Sequence, residues 1–167
     1  MNAKRVLYTV NKPLLFACVS MYFGTGWSLV LFSFPGASEL TPANYYAQFV
    51  PQVEAATNFF RGMTVLMMVC CVILVIEEWK TKLKWYGIGV LLLIILATAL
   101  TIIYIFPYNR SMAAGITSQE ELTLVLNKWM RLNITRVSLW TVQWLLMMIY
   151  FLHCINQKWQ KTPGYVS

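Results

Sequence analysis

Four stretches of the chain are apolar over roughly the 20 residues that a helix needs to cross a bilayer's hydrocarbon core, and polar residues collect in the segments between them. They cover about residues 13–34, 58–77, 85–106 and 134–153. The third is the plainest, with no charge from 90 to 103. The second is short by hydropathy alone, running from 61 to 76, and reaches full length only if Asn58-Phe-Phe-Arg61 lies within the membrane. The first follows Lys4 and Arg5, as a signal peptide would. Its apolar core exceeds the usual 7–15 or so residues of such a peptide, so it reads as a retained helix. Between the spans, Thr41-Pro42 predicts an N-cap with proline at the first helical position. Ser118-Gln-Glu-Glu121 has capping-box spacing, with Glu121 able to reach back to the Ser118 amide. A single helix is predicted from there through Trp129 and Asn133 into the membrane. The connection from 77 to 84 reads as short and plain. The predicted architecture is all-α: a single four-span transmembrane bundle over residues 1–167, with helical extensions on the outer side.

Composition agrees. Hydrophobic residues make up 59% and charged residues 11%, against about 45–50% and 25% in soluble domains, so too few charges are present to cover a soluble surface. This excludes a soluble enzyme, a disulfide-stapled secreted domain and a disordered chain. The net charge of +7 does not indicate nucleic acid, because no basic stripe interleaved with aromatics occurs. It sets topology instead. Lys4, Arg5, Lys12, Lys80, Lys82, Lys84, Lys158 and Lys161 fall on the side of both termini, and Arg61, Arg110, Lys128, Arg131 and Arg136 on the other, a split of 8 to 5. The positive-inside rule then places both termini in the cytoplasm of a multi-pass cell-membrane protein. Trp79, Trp85 and Trp159 would mark the inner interface and Trp129 the outer one.

The two halves repeat weakly. The first span ends in Phe34-Pro35 and the third in Phe106-Pro107. The helix that follows each opens with Asn-x-x-Arg, as Asn58…Arg61 and Asn133…Arg136. Two parallel hairpins related by a pseudo-twofold axis along the membrane normal are expected. Asn and Arg three apart share a helix face, and a charge within the membrane is held toward the bundle or water. The same face of the fourth span carries Trp129, Trp140, Gln143 and Met147, and that of the second Glu54, Val65 and Met68. Tyr104 on the third span, Tyr108 and Asn109 in the loop after it, and Trp27 on the first should lie at similar depth. Together they predict a polar and aromatic pocket in the outer half of the bilayer, with snorkelling of the arginines to headgroups as the plain alternative.

Other candidate chemistry is thin. Cys18, Cys70, Cys71 and Cys154 form no C-x-x-C pair and read as packing residues. His153 is the only histidine and reads as a capping or interface residue, and no metal or cofactor is expected. Aspartate is absent, which leaves a paired-carboxylate hydrolase poorly supported. Ser20, Gly24 and Ser28 recur every four residues, a small-residue stripe read as internal packing, with homo-oligomerisation as the lesser alternative. The glycosylation sequons at Asn109 and Asn133 read as coincidence.

The run Phe106-Pro-Tyr-Asn109 … Glu120 … Trp129-Met-Arg-Leu-Asn133-Ile-Thr-Arg136 resembles the anthrone oxygenase-like family of small four-span membrane proteins, over nearly the whole chain in span layout but over about thirty residues in motif. Pro107, Asn109, Trp129, Asn133 and Arg136 take the positions of that family's pattern. The resemblance implies cofactor-independent oxidation of a hydrophobic phenolic substrate. Arg136 and Arg61 would stabilise a substrate oxyanion, Asn133 and Asn58 orient it, and Trp140 stack on it, with Glu54 or Tyr108 as the base. The competing expectation is a non-catalytic protein or complex subunit whose same cluster holds a lipid headgroup or a quinone-like molecule. Transport ranks last, since no helix is broken by Gly or Pro at mid-membrane.

Overall fold

A computed structural model describes the backbone of residues 3–160 and the side chains of 5–157. Lys161 and the side chains of Lys4, Lys158 and Trp159, assigned above to the cytoplasmic side, lie outside the described residues. The chain is all-α. Helix α1 spans Ala3–Ser28, α2 Tyr45–Glu77, α3 Lys84–Leu100, α4 Phe106–Ala114 and α5 Gln119–Gln160. Four helical stretches are long and apolar enough to cross a membrane, with mean hydropathy reaching 2.8 in the third. Apolar side chains such as Phe32, Ile76, Leu92 and Ile103 cover the outside, as lipid contact requires. The chain is a multi-pass membrane protein.

Neighbouring helices run up and down in a ring. α1 packs on α2 and α5, and α3 packs on the same two, so α1 faces α3 and α2 faces α5 across the centre. The start of α1, the end of α5 and the 78–83 connection share one end, called proximal here. The short α4 packs against α2 and α5 at the opposite, distal end. With 42 residues, α5 is about 63 Å long and projects beyond a hydrocarbon core of roughly 30 Å.

The repeat is visible in the backbone. α1 widens into a π-helical turn at Leu29–Ser33 and α3 into another at Thr101–Ile105, each followed by its Phe-Pro pair. A proline inside a helix has no N–H to donate, and its ring crowds the carbonyl four residues back. Widening the turn relieves that contact. Phe34 N–H instead bonds Leu29 O at 3.1 Å, and Phe106 N–H bonds Thr101 O. The third span therefore does not end at Phe106. It continues as α4, which puts Tyr108 and Asn109 on a helix rather than in a loop.

Several other expectations need correction. α1 begins a full ten residues before Pro13, because the polar residues there find partners in the bundle. Asn11 Nδ2 donates to Cys70 O at 3.0 Å, and Lys12 pairs with Glu77 at 2.7 Å and Glu78 at 3.2 Å. α2 is not capped by Thr41. Asn44 Oδ1 accepts the Thr41 N–H at 2.7 Å, which closes a turn and delays the helix to Tyr45. Ser118 does cap α5, accepting the Glu121 N–H at 3.5 Å, but the reciprocal bond from Glu121 is not formed. The 78–83 connection is not plain. The Glu78 carboxylate accepts from Lys12, from Thr81 Oγ1 at 2.8 Å and from Tyr150 Oη at 2.9 Å, which ties α1, the connection and α5 together. Trp129 is no interface anchor: it is buried, with Nε1 donating to Asn109 Oδ1 at 2.7 Å. The Ser20/Gly24/Ser28 stripe is not the internal contact, since nothing lies within 4 Å of a Cβ placed at Gly24. Gly26 makes that approach instead, against Val137 and Trp140 of α5.

The core is divided. One cluster, including Leu15, Val19, Cys71, Leu74, Val90, Met147 and Tyr150, fills the middle and proximal part. A second, including Tyr45, Ile105, Met112, Leu122 and Trp129, fills the distal end. Between them the helices do not close.

Candidate functional site

The space between the two clusters is a cavity of about 520 Å³, lined mainly by apolar residues of all four spanning helices. Tyr22, Met67, Ile94 and Gln143 border its proximal end, and Phe49, Phe106, Asn109 and Trp129 its distal end. A second hollow of about 370 Å³ adjoins it between α2 and α4, sharing Phe49, Val53, Thr57, Arg61, Phe106 and Asn109. It forms a vestibule that adds Glu54, Asn58 and Arg110.

Arg136 is the centre of the cavity's chemistry. Asn133, one turn earlier on α5 and wholly buried, donates its amide N–H to Trp129 O at 2.8 Å. This fixes the amide so that Oδ1 faces the guanidinium and accepts from Arg136 Nη2. Arg136 Nη1 reaches Thr101 Oγ1 at 3.5 Å, on the π turn of α3. The guanidinium lies over the Trp140 ring, 4.7 Å from its centroid, a cation–π contact. Nε is buried with no partner. All these contacts are neutral. The ion pairs among the described residues are those of Lys12 with Glu77 and Glu78 at the proximal end. Arg136 thus places a positive charge in an apolar cavity without a carboxylate to balance it, an expensive arrangement for a cation removed from water.

The other side chains sort by where they stand. Arg61, Asn109, Trp129, Trp140 and Gln143 line the cavity together with Arg136. Both arginines of the repeated Asn-x-x-Arg motif therefore face one space. Arg61 also lines the vestibule, where Glu54 and Asn58 are found. Asn133 lines neither hollow and positions Arg136 from behind. Tyr108 packs against the distal cluster and lines neither hollow. Trp27 sits on the outside of the bundle with Nε1 donating to Thr141 Oγ1 at 3.0 Å, and Tyr104 is exposed on the lipid side. Asn133 and Asn109 are engaged in the interior, which rules out a glycan at either without unmaking the site.

Sequence reasoning missed Tyr22 and Thr64. Tyr22 Oη lies 2.9 Å from Phe60 O and 2.5 Å from Thr64 Oγ1, and its ring packs edge-on against Trp140 at 4.8 Å. It braces the ring on which Arg136 rests. A tyrosine within an apolar span carries no signal of that role, because its partners come from α2 and α5. Among the described residues no cluster of three His, Cys, Asp or Glu side chains could hold a metal ion. No family model, curated protein or solved structure matches the chain.

Proposed function

We infer that this protein binds a hydrophobic small molecule bearing an acidic or oxyanionic group, taken up from the membrane into the cavity and held there by Arg136, with Arg61 at its mouth. The single observation that supports this reading is the buried guanidinium of Arg136, which has neutral partners, a free Nε and a cavity of ligand size beside it. A charge without a counter-ion in such a place is unfavourable in the empty protein and becomes favourable when an anion arrives. An oxygenase of the kind the resemblance implies would use the same guanidinium to hold a substrate oxyanion, but it also needs a base. Glu54 stands in the vestibule and Tyr108 lines neither hollow. Binding without chemistry is the reading this geometry favours.

Native mass spectrometry of gently purified protein tests it. A co-purified anionic amphiphile is expected, lost in Arg136→Gln and kept in Arg131→Gln, an exposed arginine that lines neither hollow. The same bound species in all three proteins would sink the reading. The surplus of basic residues beside the termini favours a cell-membrane orientation with both termini cytoplasmic. A cysteine placed at Ser118 should then react with an impermeant maleimide on intact cells, and one placed at Thr81 should not. The reverse labelling would invert the topology and put the cavity in the cytoplasmic half.

A further inference from the structure

Gln143 is unusual in a way that Arg136 does not explain. It sits on α5 seven residues beyond Arg136, is 1% exposed, and neither its amide nitrogen nor its amide oxygen has a partner. An amide brings two donors and an acceptor, and nearly all such groups find hydrogen bonds once water is excluded. Gln143 borders the proximal end of the cavity, and beyond it α5 enters the closed core at Met147 and Tyr150. A methionine would fill the same volume without leaving an amide unpaired. The partner missing from the protein is one that an occupant of the cavity can supply.

Building on the reading of Arg136 as an anion site, we propose that the ligand has two polar ends. An anionic group sits at Arg136, a hydroxyl or amide sits at Gln143, and a short apolar body lies between. Residues seven apart on a helix are separated by about 10 Å along its axis. The Trp140 ring, against which the guanidinium rests, comes from the turn between them. The wall between them includes Phe60, Met67, Ile94 and Ala97, which suits a hydrocarbon body. Met67 and Met68 are unbranched and repack easily, so a polar group can reach the amide with small adjustments. A long acyl chain fits poorly, because it would press methylenes against both unpaired atoms. The class indicated is a compact acid with a polar tail.

The test compares straight-chain carboxylic acids of about six to ten carbons with their ω-hydroxy counterparts, by calorimetry on the protein in lipid nanodiscs, a span bracketing the axial separation. At the fitting length the hydroxy acid should bind about tenfold more tightly than its parent, the effect of one well-made hydrogen bond. In Gln143→Met, which keeps the volume and should fold, that preference should vanish while both acids still bind. Arg136→Gln should abolish binding of both. Equal affinities at every length in the wild type, still dependent on Arg136, would overturn the second polar contact and leave the anion site standing. A preference surviving Gln143→Met would overturn the assignment to Gln143. Binding of no acid at all would overturn the anion site and this proposal with it.

Discussion

At the scale of single residues, the site depends on an asparagine that touches no ligand space. Asn133 presents Oδ1 to Arg136 because its own N–H is committed to Trp129 O. Asn133→Leu should leave both the guanidinium and that carbonyl short of a partner and lower stability by about 1–3 kcal/mol. Asn133→Asp should instead supply the missing counter-ion from within. Although the N–H donated to Trp129 O is lost here too, the new ion pair should leave this variant more stable than Asn133→Leu and abolish anion binding, and retained binding in it would show that Arg136 is not the anion's partner. Gly26 is equally exacting. A Cβ there would come within 2.8 Å of Trp140 Cε3 and Val137 Cγ2, a rigid ring and a branched side chain. Gly26→Ala should cost about 1–3 kcal/mol by overpacking, while Gly24→Ala, facing open space, should cost nothing, as read by thermal denaturation in detergent. These two glycines mark the limit of what the sequence discloses. The Asn-x-x-Arg spacing was legible because i and i+3 share a helix face whatever the helix packs against. The small-residue stripe pointed to Gly24 rather than Gly26 because spacing finds candidate faces but not the one that docks. Trp140, 114 positions away, makes that choice.

At the scale of elements, both π turns border the cavity, through Leu29 and Ser33 on one side and Thr101, Ile102 and Ile105 on the other. The Phe-Pro pairs that revealed the repeat also deform α1 and α3 at matching depth, and π turns recur at functional sites in helical proteins. The sequence places the end of each span at its proline, since a helix usually ends near one, whereas the third runs on through Pro107 as α4. What holds α4 in place is Tyr45. Its hydroxyl donates to Met112 O at 3.1 Å and accepts from Ile116 N–H at 2.6 Å, straddling Gly115, whose φ of +94° is one that a side chain rarely tolerates. Tyr45→Phe should leave the buried Ile116 N–H without an acceptor, while Met112 O keeps the Gly115 N–H at 3.3 Å, costing about 1–3 kcal/mol and loosening the wall that carries Asn109. Hydrogen exchange should then show faster exchange at Ile116 and through α4, with α3 unchanged. A uniform change across the bundle would argue against a local latch.

At the scale of the whole molecule, the two ends do different work. The distal half gives up close packing to keep a cavity open, and the proximal half closes tightly around charge. Lys12, Glu78 and Tyr150 are 66 and 72 residues apart in pairs, so no local pattern announced them, and a connection that looked plain joins the first helix to the last. Burial alone would raise the Glu78 carboxyl. The hydrogen bonds from Thr81, Tyr150 and Lys12 together with the Lys12 charge outweigh it and hold the group below the ordinary glutamate range. A carboxyl depressed in the folded state contributes stability that is present above its unfolded value of about 4.3 and is lost as pH falls through the folded value. The wild-type bundle should therefore lose thermal stability as the medium is acidified below about pH 4.3. Glu78→Gln should begin less stable at neutral pH, because Lys12 loses one of its two carboxylates, and should show a shallower acid decline. If the two proteins weaken in parallel on acidification, Glu78 is not the group that titrates, and the proximal clamp contributes packing rather than charge. A normal decline in Arg136→Gln, measured alongside, would show that the clamp and the cavity operate independently.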